Sequence, residues 1–387
     1  MYDWFSMKIT ILGWYGTETI GDRAILAGLF SFFSKTFNTY EVYLGSLFPF
    51  FSERTIIEDS PFWKKITGSD VKLSLFNSKN RGELVSSIKK SDLIVMGGGP
   101  LMHIDEVFMI EYAFKSAKKM GRKTALLGCG IGPVFTTHHK KAIIEIVNNS
   151  DLVILRDSLS KESLIQIFNE FHIDIYNKKI FCSFDPAVEC CLSYNHFFPQ
   201  KKGDYIAINL RSFPMDYSAG IRDLSNINTD LLTFIRDISL KFPIPIYLVP
   251  MHYFHIGNDD REFLNSIRFE LHNPNIVVQN TNLSLESTIS IFRNALFTIG
   301  MRFHSVLIQT ISHGNNYILD YTDNKNGKIE GFITDIDKDN FYSNRKISLQ
   351  QEQIQLNKIN FSNTHFQINE FKIKERLSIY KNKLKDL

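Results

Sequence analysis

The chain offers few shortcuts to a function. Its four cysteines, Cys129, Cys182, Cys190 and Cys191, show neither metal-ligand spacing nor a disulfide framework. A small disulfide-stapled fold is thereby excluded, and a reducing cytosol is the expected compartment. Lysines and arginines outnumber acidic residues so slightly that the net charge is +3, too small to argue for a nucleic-acid partner. No run approaches the roughly 18 to 20 apolar residues of a membrane span. The N-terminus has no basic stretch leading into an apolar core, so no signal peptide is expected; Met1 to Ser6 reads as an extension, with Met7 an alternative start. No metal-binding cluster is evident, and neither a metal nor an organic cofactor is expected.

What is present is globular: 387 residues, 44% hydrophobic and 22% charged, enough for two domains with separate cores. Short apolar runs alternate with helical patterns. Strands are expected at Lys8–Leu12, Glu41–Gly45, Asp92–Met96, Thr124–Leu127 and Leu152–Leu155, with helices from about Asp22, over about Glu106–Met120, near His139–Asn148, and after Arg156-Asp157 with Ser158 or Ser160 as cap. From Leu47 to Gly82 the pattern is irregular and predicts a loop with a short helix. Strands alternating with helices imply a parallel sheet covered on both faces.

The alternation pauses between Asp185 and Gly203, where Asp185-Pro186, a cysteine pair and Pro199 suggest an inter-domain linker, and then restarts. Strands are expected at Tyr205–Leu210, Ile246–Val249, Asn275–Val278 and Tyr317–Leu319, and helices at about Asp230–Lys241, Asp260–Leu271 and Ser284–Asn294. Beyond Glu330 the chain turns polar and ends in an amphipathic helix from about Phe366 to Lys385. The domain expectation is 1–195 for an N-terminal unit and 204–345 for a C-terminal unit. Residues 346–387 would form a polar linker and a helix packing back on the cleft region. Two such α/β halves would hold ligands in a cleft between the carboxyl ends of their sheets.

The chemistry concentrates at one corner. The apolar run Leu296–Ile299 ends in Gly300 and a helix pattern begins at about Phe303, so Arg302 and His304 fall where a strand meets a helix. Free N–H groups and the positive end of the helix dipole make such a corner an anion site. A guanidinium adds planar donors for carboxylate or phosphate, and an imidazole trades protons near neutral pH. Arg211 stands at another strand end of the same half, where it either binds an anion or pairs with Asp216 or Asp185. Asp22 is positioned as a helix N-cap, with a catalytic base as the alternative. Leu47–Phe51 is expected to pack in the core, the alternative being contact with a membrane surface.

Several glycine corners complete the pattern: Gly13-Trp-Tyr-Gly16 with Gly21-Asp22, the strand before Gly97-Gly-Gly99, and Gly128-Cys-Gly-Ile-Gly-Pro133. With Arg156-Asp157, Asp185-Pro-Ala187, Asn209-Leu-Arg211 and Gly300-Met-Arg-Phe-His304, these motifs stand in an order that resembles the polysaccharide pyruvyl transferase family over about Met7 to Phe332. The resemblance implies two Rossmann-like domains facing each other across a cleft, a GT-B-like α/β fold with parallel sheets flanked by helices. It implies phosphoenolpyruvate as co-substrate and donor, and a sugar acceptor, nucleotide-linked or lipid-linked, for a cell-surface polysaccharide. The product would be a pyruvate ketal bridging two hydroxyls, with phosphate released.

On that basis Arg211, Arg302 and His304 would bind the donor, and His304, Lys328 and Asp22 would be catalytic. The family lysine fits Lys328-Ile-Glu-Gly-Phe332 best, with Lys325 as rival. Gly16, Thr19, Gly97, Gly98, Gly99, His103, Arg156, His252 and His255 would line the cleft on the acceptor side. The sequence departs from the family at Thr19, Arg23 and Pro100, all in the N-terminal half, so donor chemistry is better supported than any acceptor. Further partners considered are the inner face of a membrane, in peripheral contact, and a second copy of the chain. Two other functions stay open: a GT-B glycosyltransferase using a nucleotide sugar, with Glu330 as a ribose partner, and a non-catalytic subunit of a capsule-assembly complex.

Overall fold

Continuous apolar runs make doubly covered parallel strands, and Leu93–Met96 and Leu152–Leu155 do so here, every residue of both being buried. The computed structural model describes residues 6–97, 99–175, 180–214, 224–254, 256–322 and 327–351, with 354, 356, 359 and 361–387. Two units emerge, Met1–Glu18 with Asp22–Cys190 and Asn369–Leu387, and Thr19–Gly21 with Cys191–Ile368.

The first unit runs β1 (Met7–Leu12), α1 (Ile20–Thr36), β2 (Tyr40–Ser46), α2 (Pro49–Thr67), β3 (Lys72–Asn77), α3 (Arg81–Lys90) and β4 (Leu93–Met96). It continues through β5 (Gly99–Leu101), α4 (Glu106–Lys119), β6 (Lys123–Ile131), α5 (Thr137–Asn148), β7 (Leu152–Leu155), α6 (Ser158–Glu170), β8 (Ile180–Cys182) and α7 (Pro186–Phe197). The sheet is parallel in the order β3-β2-β1-β4-β6-β7-β8, with β5 beside β6.

Several expectations are corrected. The irregular stretch Leu47–Gly82 holds α2, β3 and the start of α3. The buried face of α2 carries Ser52, Thr55 and Asp59 beside Phe62, Trp63 and Ile66, so its polar half hides the helical period, and Pro61 sits inside it. Asp59 is there to hold Arg23, whose guanidinium it receives through two bonds of 2.6 Å. Leu47 joins the core as expected, but Phe50 is exposed. Helix α1 starts at Ile20, two residues early, so Asp22 lies within its first turn and does not cap it. Asp157 caps α6, accepting from Ser160 N at 2.6 Å, where a serine was expected. The interval expected to be a linker is α7, begun by Pro186 and with Cys190 and Cys191 fully buried.

The second unit contains β9 (Ile206–Ile208), α8 (Leu224–Lys241), β10 (Ile246–Leu248), α9 (Asp260–Leu271), β11 (Ile276–Val278) and α10 (Leu285–Asn294). There follow β12 (Thr298–Gly300), α11 (Phe303–Ser312), β13 (Asn316–Asp320), α12 (Lys328–Ile336) and β14 (Lys346–Ser348). Its parallel sheet has the order β11-β10-β9-β12-β13-β14. The polar stretch beyond Glu330 thus supplies a sixth strand, too short to register as an apolar run. The closing helix α13 (Glu370–Lys385) belongs to the first unit, where Tyr380 stacks on Phe32 at 4.2 Å and donates to the Phe184 carbonyl at 2.6 Å.

Candidate functional site

In the second sheet the strand order reverses between β9 and β12, and it is beyond the carboxyl ends at such a reversal that α/β sheets bind ligands. Three adjacent strands end there. Arg211 follows β9, Arg302 follows β12, and Tyr321 follows β13. Asn209 ties the corner together: its amide donates to the Val249 carbonyl at 3.0 Å and its oxygen accepts the Arg302 backbone N–H at 3.0 Å. The Asn in Asn209-Leu-Arg211 therefore fixes where the second arginine begins.

The Arg302 side chain is held by Asp260, the first residue of α9, through Nε at 2.8 and 3.0 Å and Nη2 at 2.6 Å. Asp260 also accepts the backbone N–H groups of Met251 and His252, at 3.0 and 3.1 Å. Burial works against the Arg302 charge, but the Asp260 carboxylate more than compensates and raises its pKa. The ion pair thus aims a permanently charged fork. Arg211 sits in the opposite balance: burial and the charge of Arg302 lower it, against Tyr321 and Asp260.

Tyr321 is 1% exposed, with its ring 5.6 Å from the Arg211 guanidinium carbon and 5.5 Å from Lys328 Nζ. Burial alone would raise the phenol; the charges of Lys328, Arg211 and Arg302 outweigh it and hold the pKa below the ordinary 10. Arg211, Arg302 and Lys328 thus bring three cations to this corner, and Asp260 pairs with one of them. Helices α11 and α12 both start here, and neither N-cap residue, Arg302 or Gly327, caps its helix with a side chain. Their first-turn N–H groups add to the attraction for an anion.

His304 lies in the first turn of α11, its ring centroid 4.8 Å from that of Phe303. Residues Thr19–Gly21 belong to this unit: Thr19 bridges to His252, and Ile20 N donates to the Met251 carbonyl at 3.0 Å. A Cβ on Gly21 would collide with the His304 imidazole. Glycine at 21 is thus explained by close approach to the histidine. His252 is itself buried, with a Cβ on Gly257 placed 2.7 Å from its ring.

Most of the remaining expected residues lie in the first unit, where packing accounts for them. Gly16, at φ +86°, turns against Phe48, whose backbone N and O a Cβ would meet at 2.8 Å. Gly97 would meet Leu29 at 2.7 Å, and Gly99, at φ +75°, would meet the Trp14 ring at 2.8 Å. Tyr15 donates to the Gly97 carbonyl at 2.8 Å and Trp14 to that of Pro100 at 3.1 Å, so the two glycine motifs form one packed joint. Arg156 is buried, 3.3 Å from Asp157 and 3.7 Å from Asp185, with its guanidinium flat against Gly130. The Arg156-Asp157, Asp185-Pro-Ala187 and Gly128-Cys-Gly130 motifs thereby explain one another. The His103 ring lies tilted against that of His139 at 3.9 Å and edge-on to Phe135 at 5.4 Å. Asp22 has Thr17 Oγ1 at 3.4 Å. Gly98, His255, Lys325 and Asp216 fall outside the described residues.

Sequence reasoning missed Tyr321 and Asp260. Tyr321 directly follows β13 and Asp260 opens α9, both elements that had been recognised, and position at the end of an element was the signal available. Among the described residues no group of three or more His, Cys, Asp or Glu has the arrangement to hold a metal ion. No helix among them is long and apolar enough to cross a membrane.

A family model described as "Polysaccharide pyruvyl transferase" matches residues 20–323. No curated protein matches the chain. Among solved structures, a "putative UDP-N-acetylglucosamine 2-epimerase" from Listeria monocytogenes aligns with a TM-score of 0.54 at 13% identity, over 98% of this chain and 89% of that one. S. aureus MnaA in complex with UDP aligns with a TM-score of 0.50 at 12% identity, over 82% and 80%. At such identities the likeness concerns the fold, two parallel sheets flanked by helices in the GT-B-like class.

Proposed function

The chain belongs to the polysaccharide pyruvyl transferase family, and we propose that it transfers the pyruvyl group of phosphoenolpyruvate to a sugar, forming a ketal and releasing phosphate. The observation that carries this reading is the gathering of Arg211, Arg302 and Lys328 around Tyr321 in the second unit, with His304 in the turn after Arg302. Phosphoenolpyruvate bears a phosphate and a carboxylate on one enol carbon, and a corner with three cations and two helix N-termini suits both.

In the reaction the methylene carbon of the donor gains a proton, two sugar hydroxyls form bonds to the neighbouring carbon, and the bond from that carbon to the phosphate oxygen breaks. Two hydroxyl protons leave; one balances the new methyl group and the other the departing phosphate. His304 serves as the acid and base for these transfers, and Arg211, Arg302 and Lys328 stabilise charge on the leaving phosphate. Side-chain chemistry suffices for each step, so no cofactor is invoked.

A nucleotide-sugar glycosyltransferase would need a ribose partner beyond this corner. Glu330, considered for that role, is engaged by Lys346 and by Thr334. The discriminating experiment incubates the protein with labelled phosphoenolpyruvate or labelled nucleotide sugars and a panel of sugar acceptors. Phosphate release dependent on acceptor and phosphoenolpyruvate is expected; nucleotide release in its place would overturn the proposal. No release with either donor would favour a non-catalytic role.

A further inference from the structure

Tyr321 is the buried group for which the proposed chemistry has no use. It stands at the end of β13, while the cations around it come from far along the chain: Arg211 after β9, Arg302 at the start of α11, and Lys328 at the start of α12. Asp260 of α9 lies behind Arg302. Three like charges brought to one corner repel one another, and a lysine on its four-carbon stem has many rotamers to choose from. Arg302 is fixed by its carboxylate. The charged ends of Arg211 and Lys328 share a different neighbour, lying 5.6 and 5.5 Å from the centre of the buried Tyr321 ring.

We propose that Tyr321 is a positioning residue of the anion site, its phenol oxygen being the common acceptor that holds Lys328 and Arg211 at one point. The proposal deepens the reading above and takes from it only the identity of the donor. The residue type follows from the task. A carboxylate here would neutralise two cations outright and compete with an incoming anion. A phenylalanine would leave them unheld. A phenol accepts from both, carries little charge of its own, and yields the cations when a stronger acceptor arrives.

The placement also makes this phenol more acidic than an ordinary tyrosine, which gives a readout independent of activity. The near-ultraviolet absorbance of tyrosinate, followed in a pH titration of the ligand-free protein, should show, besides the early ionisation of exposed Tyr112 that its hydrogen bond from Arg81 favours, a low step from Tyr321. That step should vanish in Tyr321→Phe and move upward in Lys328→Met. Inorganic phosphate or phosphoenolpyruvate should move it upward in the wild type, because a nearby anion opposes ionisation. With phosphoenolpyruvate as substrate, Tyr321→Phe should raise KM by about tenfold and lower kcat much less, the mark of lost preorganisation in binding.

Superimposable titrations of the wild type and Tyr321→Phe would overturn the proposal. Should Tyr321→Phe not fold, Lys328→Met reads the same step with the phenol in place, and an unmoved step there overturns it equally. A low step that is present but indifferent to phosphoenolpyruvate supports the positioning role, while the donor assignment would be what falls.

Discussion

Both sheets reverse their strand order, the first between β1 and β4 and the second between β9 and β12, and the chain treats the two places in opposite ways. In the first, Trp14 and Tyr15 close down on the backbone of Gly97, Gly99 and Pro100, and the joint is packed with aromatic carbon. In the second, Arg211 and Arg302 arrive with Tyr321 beside them. The two tyrosines register the difference. Burial, with Asp22 among nearby acidic groups, pushes Tyr15 well above its ordinary pKa, whereas the cations around Tyr321 overcome burial and pull it down. Topology supplies a place for a ligand in each sheet; the side chains decide whether it is kept for one.

The largest effect that would test this contrast is expected at Arg302. Arg302→Ala leaves Asp260, whose side chain is 1% exposed, without its partner, which costs about 3–5 kcal/mol of stability by the usual penalty for an orphaned buried charge. It should also reduce kcat/KM for phosphoenolpyruvate by about 10²–10³-fold. Adding Asp260→Asn should restore the melting temperature without restoring phosphate release. Recovery of both together would show that the arginine serves the fold alone and that the second reversal is as structural as the first.

His304→Ala separates binding from chemistry within the second corner. Thermal stabilisation by phosphoenolpyruvate should survive while kcat falls by about 10²–10⁴-fold, as for a lost general acid or base. Full turnover in this variant would remove the imidazole from the reaction.

The matching change at the first reversal is Gly99→Ala. A Cβ at φ +75°, 2.8 Å from Trp14, should cost about 1–3 kcal/mol in strain and overpacking. Its KM for phosphoenolpyruvate should be that of the wild type, and a large rise in KM would blur the distinction between the two corners.

The smallest net effect in the wild type concerns pH, where two limbs oppose each other. Burial pushes the Asp320 carboxyl up to about 6, while Thr322 N and Oγ1 donate to it at 2.9 and 2.7 Å. The native state then keeps this proton after the unfolded chain has lost it, so stability falls as pH rises from about 4 to 6, by on the order of 3 kcal/mol. Burial pushes His313 down to about 4, so the unfolded chain binds that proton first and stability rises with pH between about 4 and 6.5. The two dependences oppose each other within one unit. Asp320→Asn should unmask the His313 limb, giving a variant whose stability climbs with pH across this window and exceeds the wild type near neutrality. Urea denaturation at several pH values measures it, and parallel curves for the two proteins would rule the account out.

The alternation of apolar runs and helical patterns was enough to read most of the strands and the doubled α/β plan, because buried parallel strands are continuous in hydrophobicity. Helix α2 escaped because half of its inward face is polar, Asp59 being buried only by virtue of Arg23. Helix α7 escaped behind Pro186 and Pro199, and β14 is only three residues long. In the site, Arg211, Arg302 and His304 could be picked out since their chemistry is unusual wherever it stands. Tyr321 and Asp260 could not, since a tyrosine or an aspartate acquires meaning here only from partners on other strands.

By itself, then, the sequence determined the order of elements, the places where strands give way to helices, and which residues have the chemistry to meet an anion. Those properties are local, written in short-range periodicity and in side-chain type. The tertiary structure alone decided that Gly21 makes room for His304, that Asp260 holds Arg302, and that Lys328 and Arg211 both approach the Tyr321 ring. Such pairings depend on which strand ends the sheet order brings together, and strand order is a long-range property that no short window of residues contains.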